Sequence, residues 1–308
     1  MSENKIPQSE ITRVKALGFL WDKRTADRFN DRVITRNGKI TAKECQVVAE
    51  AAKKFGSGEI SMTTRLTMEI QGVPFENIEP LRQYLKEQAG LETGGTGAKV
   101  RPVISCKGTT CQFGLIDTYA LSKKIHERFF VGYNQVKLPH KFKIAVGGCP
   151  NNCVKPDLND VGIVGQWIPL VHPELCKGCK MCQKECPMHV AKVVDGKATI
   201  DPNTCNHCGR CIRKCPFHAI EAQTTGYLLY LGGRWGKRTA MGHPLDTIFT
   251  EEEQVLDMVE KCLLLFKAYG ETKERFADTV NRLGFDKVQE MLMSDELLQR
   301  KDEILAQE

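Results

Sequence analysis

The feature that most constrains this chain is a doubled cysteine motif, in which the spacing C-x2-C-x2-C-x3-C-P occurs twice. The copies occupy residues 176–187 and 205–216, at an offset of 29 residues. In each copy, three closely spaced thiolates can enclose one face of a cuboidal cluster. The fourth cysteine, held by the following proline, reaches the cluster of the other copy. A segment with this spacing therefore folds around metal, either as two iron–sulfur clusters or as a pair of zinc knuckles.

The exchange of the fourth cysteine assigns eight cysteines to two predicted clusters. The run is typical of bacterial ferredoxins that carry two 4Fe–4S clusters. Between the copies, the alternating segment VAKVVDGKATID contains an Asp195–Gly196 turn, which predicts a small hairpin. We therefore predict an inserted ferredoxin-like domain over residues 169–222. The ligands predicted for the first cluster are Cys176, Cys179, Cys182 and Cys215, and those for the second are Cys186, Cys205, Cys208 and Cys211.

The overall composition indicates a soluble globular protein and excludes several classes. Hydrophobic residues make up 41% and charged residues 27% of the 308 residues, which is enough for a sizeable core. A net charge of +6 without a basic arm does not favour nucleic-acid binding, but it suits an anionic substrate or cofactor. The polar N-terminus MSENKIPQSE lacks a signal-peptide pattern, and the apolar runs are too short to cross a membrane. We predict a cytoplasmic location, where cysteines bind metal more often than they form disulfides.

Six of the 14 cysteines lie outside the doubled motif. Cys45 lies in a predicted helix with a capping box from Thr41 to Glu44. Cys262 lies in another helix, which is predicted to be capped by Thr250. Both cysteines are predicted to be small buried hydrophobic residues. The segments SCKGTTC and GGCPNNC carry the remaining four, which could bind a third cluster, a zinc ion or no metal: Cys106, Cys111, Cys149 and Cys153.

Two predicted strands place cations on a polar face. Residues 59–73 alternate so that one face is mostly apolar, while Arg65 lies among hydroxyls on the other. In the segment KFKIAV, the apolar side chains point one way and Lys141 and Lys143 point the other. Because neighbouring lysines repel each other, this arrangement is favourable only with an anionic partner. An ordinary solvent-facing strand is the alternative for Arg65.

The order of these segments resembles the siroheme-containing nitrite and sulfite reductases. The segments are RPVISC, the C-x4-C loop, LPHKFK and GGCPNNC, and the resemblance covers residues 15–290 apart from the inserted ferredoxin. The single repeat, the insertion and the GGRWGK segment near residue 232 resemble most the catalytic C subunits of anaerobic sulfite reductases. One departure concerns the first two cysteines, which are usually separated by five residues in the family. Four residues separate Cys106 from Cys111, so this loop must close more tightly.

The resemblance implies a site built from the loop cysteines and several cations. It implies that the four loop cysteines bind a third 4Fe–4S cluster, and that Cys153 also bridges to the iron of siroheme. The cations that it implies near the substrate or siroheme are Arg65, Arg101, Lys141 and Lys143. His140 adjoins the lysine pair and could transfer protons. A further basic group could bind siroheme carboxylates or could form an exposed loop: Arg234, Lys237 and Arg238.

The predicted fold class is α+β, as a single-repeat nitrite/sulfite reductase fold with an inserted ferredoxin-like two-cluster domain. Residues 11–90 are predicted to form an α+β half-domain, with helices on one face of a mostly antiparallel sheet. Residues 91–168 together with 223–308 are predicted to form the domain that binds siroheme and the third cluster. The charged residues from Thr272 onward are predicted to be helical.

The resemblance implies a siroheme-dependent, six-electron reduction of sulfite to sulfide, with nitrite reduction to ammonia as the alternative. Electrons would enter through the ferredoxin clusters. Because no G-x-G-x-x-G segment or flavin domain is apparent, they would come from flavin- and iron–sulfur-containing partner subunits or from ferredoxin. The chain is predicted to form a two-fold homodimer, which would rebuild the pseudo-symmetric core of fused family members, or to be part of a hetero-oligomer. A non-catalytic polyferredoxin is the alternative from another class, and it would leave the lysine pair and Arg65 without a role.

Overall fold

The computed structural model describes residues 6–307, which contain three hydrophobic cores. Residues 1–5, which begin the polar N-terminal segment considered above, lie outside the described residues. The first core extends from Ile6 to Leu91, and the second from Val100 to Ile304. The third is small and lies among the cysteines of the doubled motif. In the part of the chain that is described, no helix is both long enough and apolar enough to span a membrane.

The N-terminal unit is an antiparallel sheet covered by helices, as its α+β prediction requires. Its strands are β1 (Phe19–Trp21), β2 (Arg28–Val33), β3 (Ile60–Met62) and β4 (Met68–Pro74). Its helices are α1 (Gln8–Ala16), α2 (Ala42–Phe55) and α3 (Ile78–Ala89). The strand order is β1-β2-β4-β3, and every neighbouring pair is antiparallel. The mostly polar strand β2, RFNDRV, was missing from the sequence prediction.

The prediction of one continuous strand over residues 59–73 was wrong, because this segment is a hairpin. The chain reverses between β3 and β4, where Leu66 has a φ of 58°. The hydroxyl oxygens of Thr63 and Thr67 lie 2.7 Å apart, and the Thr63 hydroxyl accepts the Arg65 N–H at 3.2 Å. Apolar alternation continues on both sides of the turn, so it could not reveal the reversal. Arg65 therefore lies in a turn and not on the face of a strand.

Helix α2 has the predicted capping box. Thr41 Oγ1 accepts the Glu44 N–H at 3.2 Å, and the Glu44 carboxylate accepts the Thr41 N–H at 2.7 Å. Cys45 was predicted to be buried, but it is exposed because it lies outside the buried stripe that runs from Glu44 to Phe55. The other predicted cap, at Thr250 of the helix that contains Cys262, was wrong, because Glu251 caps that helix.

The central domain has a mixed sheet. Its strands are β5 (Ile104–Ser105), β6 (Ile144–Gly147) and β7 (Val161–Val171) and, after the insertion, β10 (Ile220–Leu231) and β11 (His243–Phe249). The order is β11-β10-β7-β6-β5. Strands β5, β6 and β7 are parallel, whereas the other pairs are antiparallel. The predicted strand KFKIAV is regular only over its second half.

Six α-helices of the described chain belong to this domain. They are α4 (Thr118–Ile125), α7 (Glu252–Tyr269), α8 (Phe276–Leu283), α9 (Phe285–Met293), α10 (Glu296–Gln299) and α11 (Lys301–Ala306). Helix α7 begins after Glu251, because Gln254 accepts the Glu251 N–H at 3.1 Å and completes a capping box one residue later than predicted. Cys262 is fully buried in α7, as predicted. His126 is half-buried and stacks on Phe130, with 4.9 Å between the ring centroids.

The insertion contains two short helices and one hairpin. The elements are α5 (Met181–Glu185), β8 (Ala191–Val194), β9 (Lys197–Ile200) and α6 (Arg210–Lys214). The predicted hairpin is confirmed, and its turn residues Asp195 and Gly196 have φ values of 49° and 77°. Both values are positive, as the tightest two-residue hairpin turn requires.

Candidate active site

The four cysteines of the two glycine-rich loops lie at one edge of the central sheet, which we call the cysteine edge. Cys106 directly follows β5, and Cys149 follows β6 after one glycine. Because the carboxyl ends of adjacent parallel strands meet at the same edge, the two loops converge there. The Cys106 N–H donates to the Val146 carbonyl at 3.1 Å, and the Gly148 N–H donates to Cys106 Sγ at 3.1 Å.

All four thiols of the cysteine edge are electrostatic neighbours. Burial raises the pKa of Cys149, and three surrounding thiols raise it further: Cys106, Cys153 and Cys111. Cys149 therefore binds its proton more tightly until a cation replaces that proton. The donor set therefore suits a soft, positively charged metal centre.

The loop between Cys106 and Cys111 closes tightly, as its four-residue spacing requires. A short 3-10 turn, Gly108–Thr110, lies between the two cysteines, and the Cys111 N–H donates to the Gly108 carbonyl at 3.1 Å. Gly114 packs directly against this turn, and a Cβ there would lie 1.8 Å from the carbonyl oxygen of Gly108. The compact loop is therefore possible only because residue 114 has no side chain.

The candidate catalytic cations lie at the opposite end of the same strands, which we call the cation edge. Lys143 immediately precedes β6, and its N–H donates to Asp160 Oδ2, just before β7, at 2.9 Å. Arg65 reaches this edge from the hairpin turn. It donates to the Asn159 side chain at 2.8 Å and to the Ile144 carbonyl at 3.2 Å, and also to the Pro102 carbonyl. The half-domain thus contributes a cation to the central domain.

Burial and mutual repulsion lower the pKa of the basic side chains at the cation edge. Burial, together with the neighbouring Arg65 and Arg275, lowers the pKa of Lys143 to about 8. Burial likewise lowers the pKa of Arg101 to about 10 and that of Arg65 to about 9. The pKa of Lys141 is lowered by burial and then by Arg275 and Arg101. Such a concentration of like charge is electrostatically suited to an anionic ligand.

Arg275 belongs to the cation edge, although sequence reasoning did not find it. It is buried, and its Nη2 donates to the two carboxylate oxygens of Asp160 at 3.0 and 3.1 Å. Asp160 is itself fully buried. These partners lie 115 residues apart, so no local pattern could have indicated the pair. In the described chain, the Nε atoms of Arg101 and Arg275 are buried without a hydrogen-bond partner, which also fits an additional acceptor at this edge.

The remaining candidate residues differ in their surroundings: Arg234 is ion-paired, Lys237 and Arg238 are exposed, and His140 adjoins the lysine pair. Arg234 contributes to the lowered pKa of Lys141 and donates to both carboxylate oxygens of Asp278, at 3.0 and 2.9 Å. Lys237 and Arg238 are exposed on the following loop. His140 Nδ1 accepts the Lys141 N–H at 2.7 Å, and burial, followed by nearby cations, lowers the pKa of its imidazole. His140 is therefore a neutral neighbour of the lysine pair near pH 7.

The insertion brings each predicted set of four cysteines together. Burial raises the pKa of Cys182, and three thiols raise it further: Cys176, Cys179 and Cys215. Burial raises the pKa of Cys211 to about 12, with contributions from three other thiols: Cys205, Cys208 and Cys186. The same two sets each line a small cavity of their own. Among residues 6–307, no group of three or more Cys, His, Asp or Glu side chains is close enough to hold a single metal ion. A cubane cluster does not require such a group, because each cysteine binds a different iron atom.

The two halves of the insertion repeat in backbone conformation as well as in sequence. Positive φ angles at Gly178, Lys180 and His189 recur 29 residues later at His207, Gly209 and His218. Backbone N–H groups point at equivalent sulfurs, since the Gly178 N–H donates to Cys176 Sγ at 3.5 Å and the His207 N–H donates to Cys205 Sγ at 3.4 Å. His207 is half-buried beside Trp167, whose backbone N–H donates to the His207 carbonyl at 2.9 Å.

Helix α6, which carries Cys211 of the second set, lies against the loop that follows Cys111. Arg213 Nη2 donates to the Gly114 carbonyl at 2.6 Å, and its Nη1 donates to the Gln112 carbonyl. The guanidinium carbon of Arg213 lies 4.7 Å from the ring centroid of Trp167. These contacts hold the second set of the insertion beside the cysteine edge.

Two family models match this chain. One, described as "Nitrite and sulphite reductase 4Fe-4S domain", matches residues 96–301. The other, described as "Nitrite/Sulfite reductase ferredoxin-like half domain", matches residues 22–88. The chain belongs to the nitrite/sulfite reductase family. The resemblance found in the sequence is thus confirmed, and the family is one of oxidoreductases.

Named relatives include two sulfite reductases. The chain is 34% identical over 253 residues to the coenzyme F420-dependent sulfite reductase of Methanocaldococcus jannaschii, covering 81% of this chain and 40% of that protein. It is 29% identical over 171 residues to the C subunit of the anaerobic sulfite reductase of Salmonella typhimurium, covering 49% of this chain and 48% of that protein. The matched region therefore spans less than half the length of each of these two relatives.

Solved structures show the same fold. Dissimilatory sulfite reductase I matches with a TM-score of 0.73 at 22% identity, covering 87% of this chain and 70% of that chain. The NirA protein of Mycobacterium tuberculosis matches with a TM-score of 0.66 at 16% identity, covering 96% of this chain and 48% of that chain. The predicted fold class is confirmed.

Proposed function

We propose that this chain binds siroheme beside a third 4Fe–4S cluster and catalyses the six-electron reduction of sulfite to sulfide. One observation carries the proposal: a nitrite/sulfite reductase fold combines four convergent thiols with a buried group of basic side chains. The names of two relatives favour sulfite as the substrate. Nitrite reduction to ammonia is the second candidate, because nitrite is also a small oxyanion and relatives named nitrite reductase match as well.

The residues present fit these groups. Thiolates bind iron well, and the four thiols of the cysteine edge would hold the third cluster. Cys153, which is exposed, would also ligate the siroheme iron. When bound, siroheme supplies an iron atom for the lone pair of the substrate and a path for single electrons. Arg234, Lys237 and Arg238 would bind its carboxylates.

The cation edge supplies charge and protons. Arg65 and Arg101 retain their charge and would orient an oxyanion. Lys141 would add a second ammonium group beside them. Lys143, with its pKa lowered to about 8 by burial, can hold a proton at Nζ and release it to a departing oxygen near neutral pH.

The separation of the two edges supports a two-fold homodimer. Six residues of nearly extended chain lead from Lys143 to Cys149, which corresponds to about 20 Å at about 3.3 Å per residue. A two-fold axis can bring the cysteine edge of one chain opposite the cation edge of a second copy, so that each active site draws on both. A monodisperse monomer with full activity, measured by light scattering, would contradict this arrangement.

Electrons would pass from the first set of the insertion to the second, and then to the third cluster. The contact between Arg213 and the loop after Cys111 supports this order. A polyferredoxin without catalysis would use the insertion but would have no use for a buried group of basic side chains. The cation edge therefore favours an enzyme over an electron relay.

An anaerobic purification tests the proposal. We expect haem-like visible bands and about thirteen iron atoms per chain, four in each of three clusters and one in siroheme. Side-by-side assays with sulfite and nitrite would then decide between the two substrates. Only about eight iron atoms and no extractable pigment would reduce the protein to a polyferredoxin.

A further inference from the structure

The first cysteine set of the insertion reaches the protein surface at one thiol. Cys176 and Cys182 are buried, whereas Cys179 is exposed. A cluster held by this set would therefore come closest to solvent beside Cys179. Electron transfer between proteins needs such an approach, because both redox centres must come near the shared interface.

Basic residues flank this exposed thiol in the chain, and Lys177 and Lys180 line the same cavity as Cys179. Three lysines are exposed within five residues of Cys179: Lys177, Lys180 and Lys184. In the described part of the chain, none of the three forms an ion pair. The nearby Glu174 approaches His172 instead, with 3.4 Å between its Oε1 and the imidazole Nδ1. The lysine ammonium groups therefore remain available to carboxylates of another molecule.

Two apolar side chains lie inside this basic rim. Met181 is 37% exposed and Phe217 is 43% exposed. Both line the cavity of the first set together with Cys179. A small apolar centre within a charged rim is typical of protein interfaces, and a small interface suits a transient redox encounter.

We propose that this basic rim docks an acidic one-electron carrier protein, which reduces the cluster of the first set. The inference rests on the proposed function, because it requires the iron–sulfur clusters assigned there. In each encounter the reduced carrier loses one electron and the cluster gains it, without proton transfer or a new bond. The opposite end of the relay is occupied, since Arg213 holds the second set against the loop after Cys111.

Charge reversal in the full-length protein tests the docking. The test variant combines Lys177→Glu, Lys180→Glu and Lys184→Glu. A matched control combines Lys23→Glu, Lys43→Glu and Lys287→Glu, which change three exposed lysines elsewhere in the chain. Each protein is mixed anaerobically with a purified, reduced two-cluster bacterial ferredoxin of acidic isoelectric point, and separately with reduced methyl viologen. Bleaching of the visible cluster absorbance gives the rate of reduction.

We expect the ratio of ferredoxin-driven to viologen-driven rates to fall at least tenfold in the test variant, about the size of an electrostatic steering effect. The control variant should keep the ratio of the unmodified protein. Added salt should slow the ferredoxin-driven reaction of the unmodified protein and hardly affect the test variant. An unchanged ratio in the test variant, or an equal loss in the control, would overturn the proposal.

Two further measurements separate failure of docking from other failures. Iron analysis detects loss of clusters from the test variant. If clusters are lost, the Lys→Gln triple variant, which only removes charge, takes its place and should show a smaller fall in the ratio of ferredoxin-driven to viologen-driven rates. An unchanged ratio there would also overturn the proposal. Cluster bleaching does not require siroheme or sulfite. A protein without siroheme would therefore contradict the proposed catalytic function while leaving the docking result readable.

Discussion

The ferredoxin-like insertion and the cation edge are both charged functional regions, but they are assembled in different ways. All eight cysteines of the insertion lie within residues 176–215, in two copies of one pattern. The cation edge instead gathers side chains from four separate stretches of the chain: Arg65, Arg101, Lys141 with Lys143, and Arg275. A local repeated ligand set is visible in the sequence, whereas a composite electrostatic site becomes visible only after folding.

The largest expected effect separates the two regions by function. The double variant Lys141→Ala and Lys143→Ala should lower sulfite turnover by about a thousandfold or more, because it removes a proton donor and a fixed charge. Viologen-driven bleaching of the clusters in the insertion should persist, since the two lysines lie outside it. Turnover and iron content are the measurements, with Lys43→Ala and Lys287→Ala as the matched control. Surviving turnover would show that the cation edge is not the catalytic region.

The next effect concerns the stability of the cation edge. Asp160→Asn should lower the free energy of unfolding by about 3–5 kcal/mol, because it leaves the buried Arg275 without its counter-charge. Asp278→Asn is the matched control and should cost less than about 1 kcal/mol, since Asp278 is 44% exposed beside Arg234. Chemical denaturation provides both values. Equal losses of unfolding free energy in the two variants would mean that the buried ion pair stabilises the fold no more than the exposed one.

A smaller effect tests the connection between the regions. Arg213→Gln should slow the transfer of electrons from the insertion to the cysteine edge by about tenfold, because the hydrogen bonds to the loop after Cys111 also position the second set. Rapid-mixing spectroscopy would show bleaching of the insertion at the normal rate, followed by delayed reduction of siroheme. Lys192→Gln, an exposed change in β8, is the control. If both phases kept their normal rates, Arg213 would have no part in the relay.

The smallest effect is a pH dependence confined to the cation edge. Burial lowers the pKa of Lys143 to about 8, so its ammonium form, and with it kcat/KM, should decline as the pH rises through about 8. A bound anion favours the charged form and raises this pKa, which places the decline at or above pH 8. Lys143→Arg keeps its charge and should move the decline to higher pH. If kcat/KM declined at the same pH in this variant, the decline would belong to a group other than Lys143. Viologen-driven bleaching of the clusters in the insertion should show no such decline.

Local patterns predicted several features correctly, and their failures have a common cause. The capping box of α2 and the Asp195–Gly196 hairpin depend on residues close together in the chain. The hairpin at Arg65 was missed because period-two alternation is the same in a continuous strand and in two strands joined by a turn. The exposure of Cys45 was missed because burial depends on neighbouring elements, which no short window contains.

The sequence by itself determined the candidate ligands of this protein: cysteine spacing predicts the metal centres, and the order of motifs identifies the family. Only the tertiary structure decided which groups share an edge of the sheet. The parallel order of β5, β6 and β7 places the loop cysteines at one end of these strands and the cations at the other. The tertiary structure also pairs Asp160 with Arg275, and it places Arg213 beside the loop after Cys111. Ligand identity is a covalent property of the chain, whereas proximity between distant segments arises only when the sheet packs its strands in a particular order.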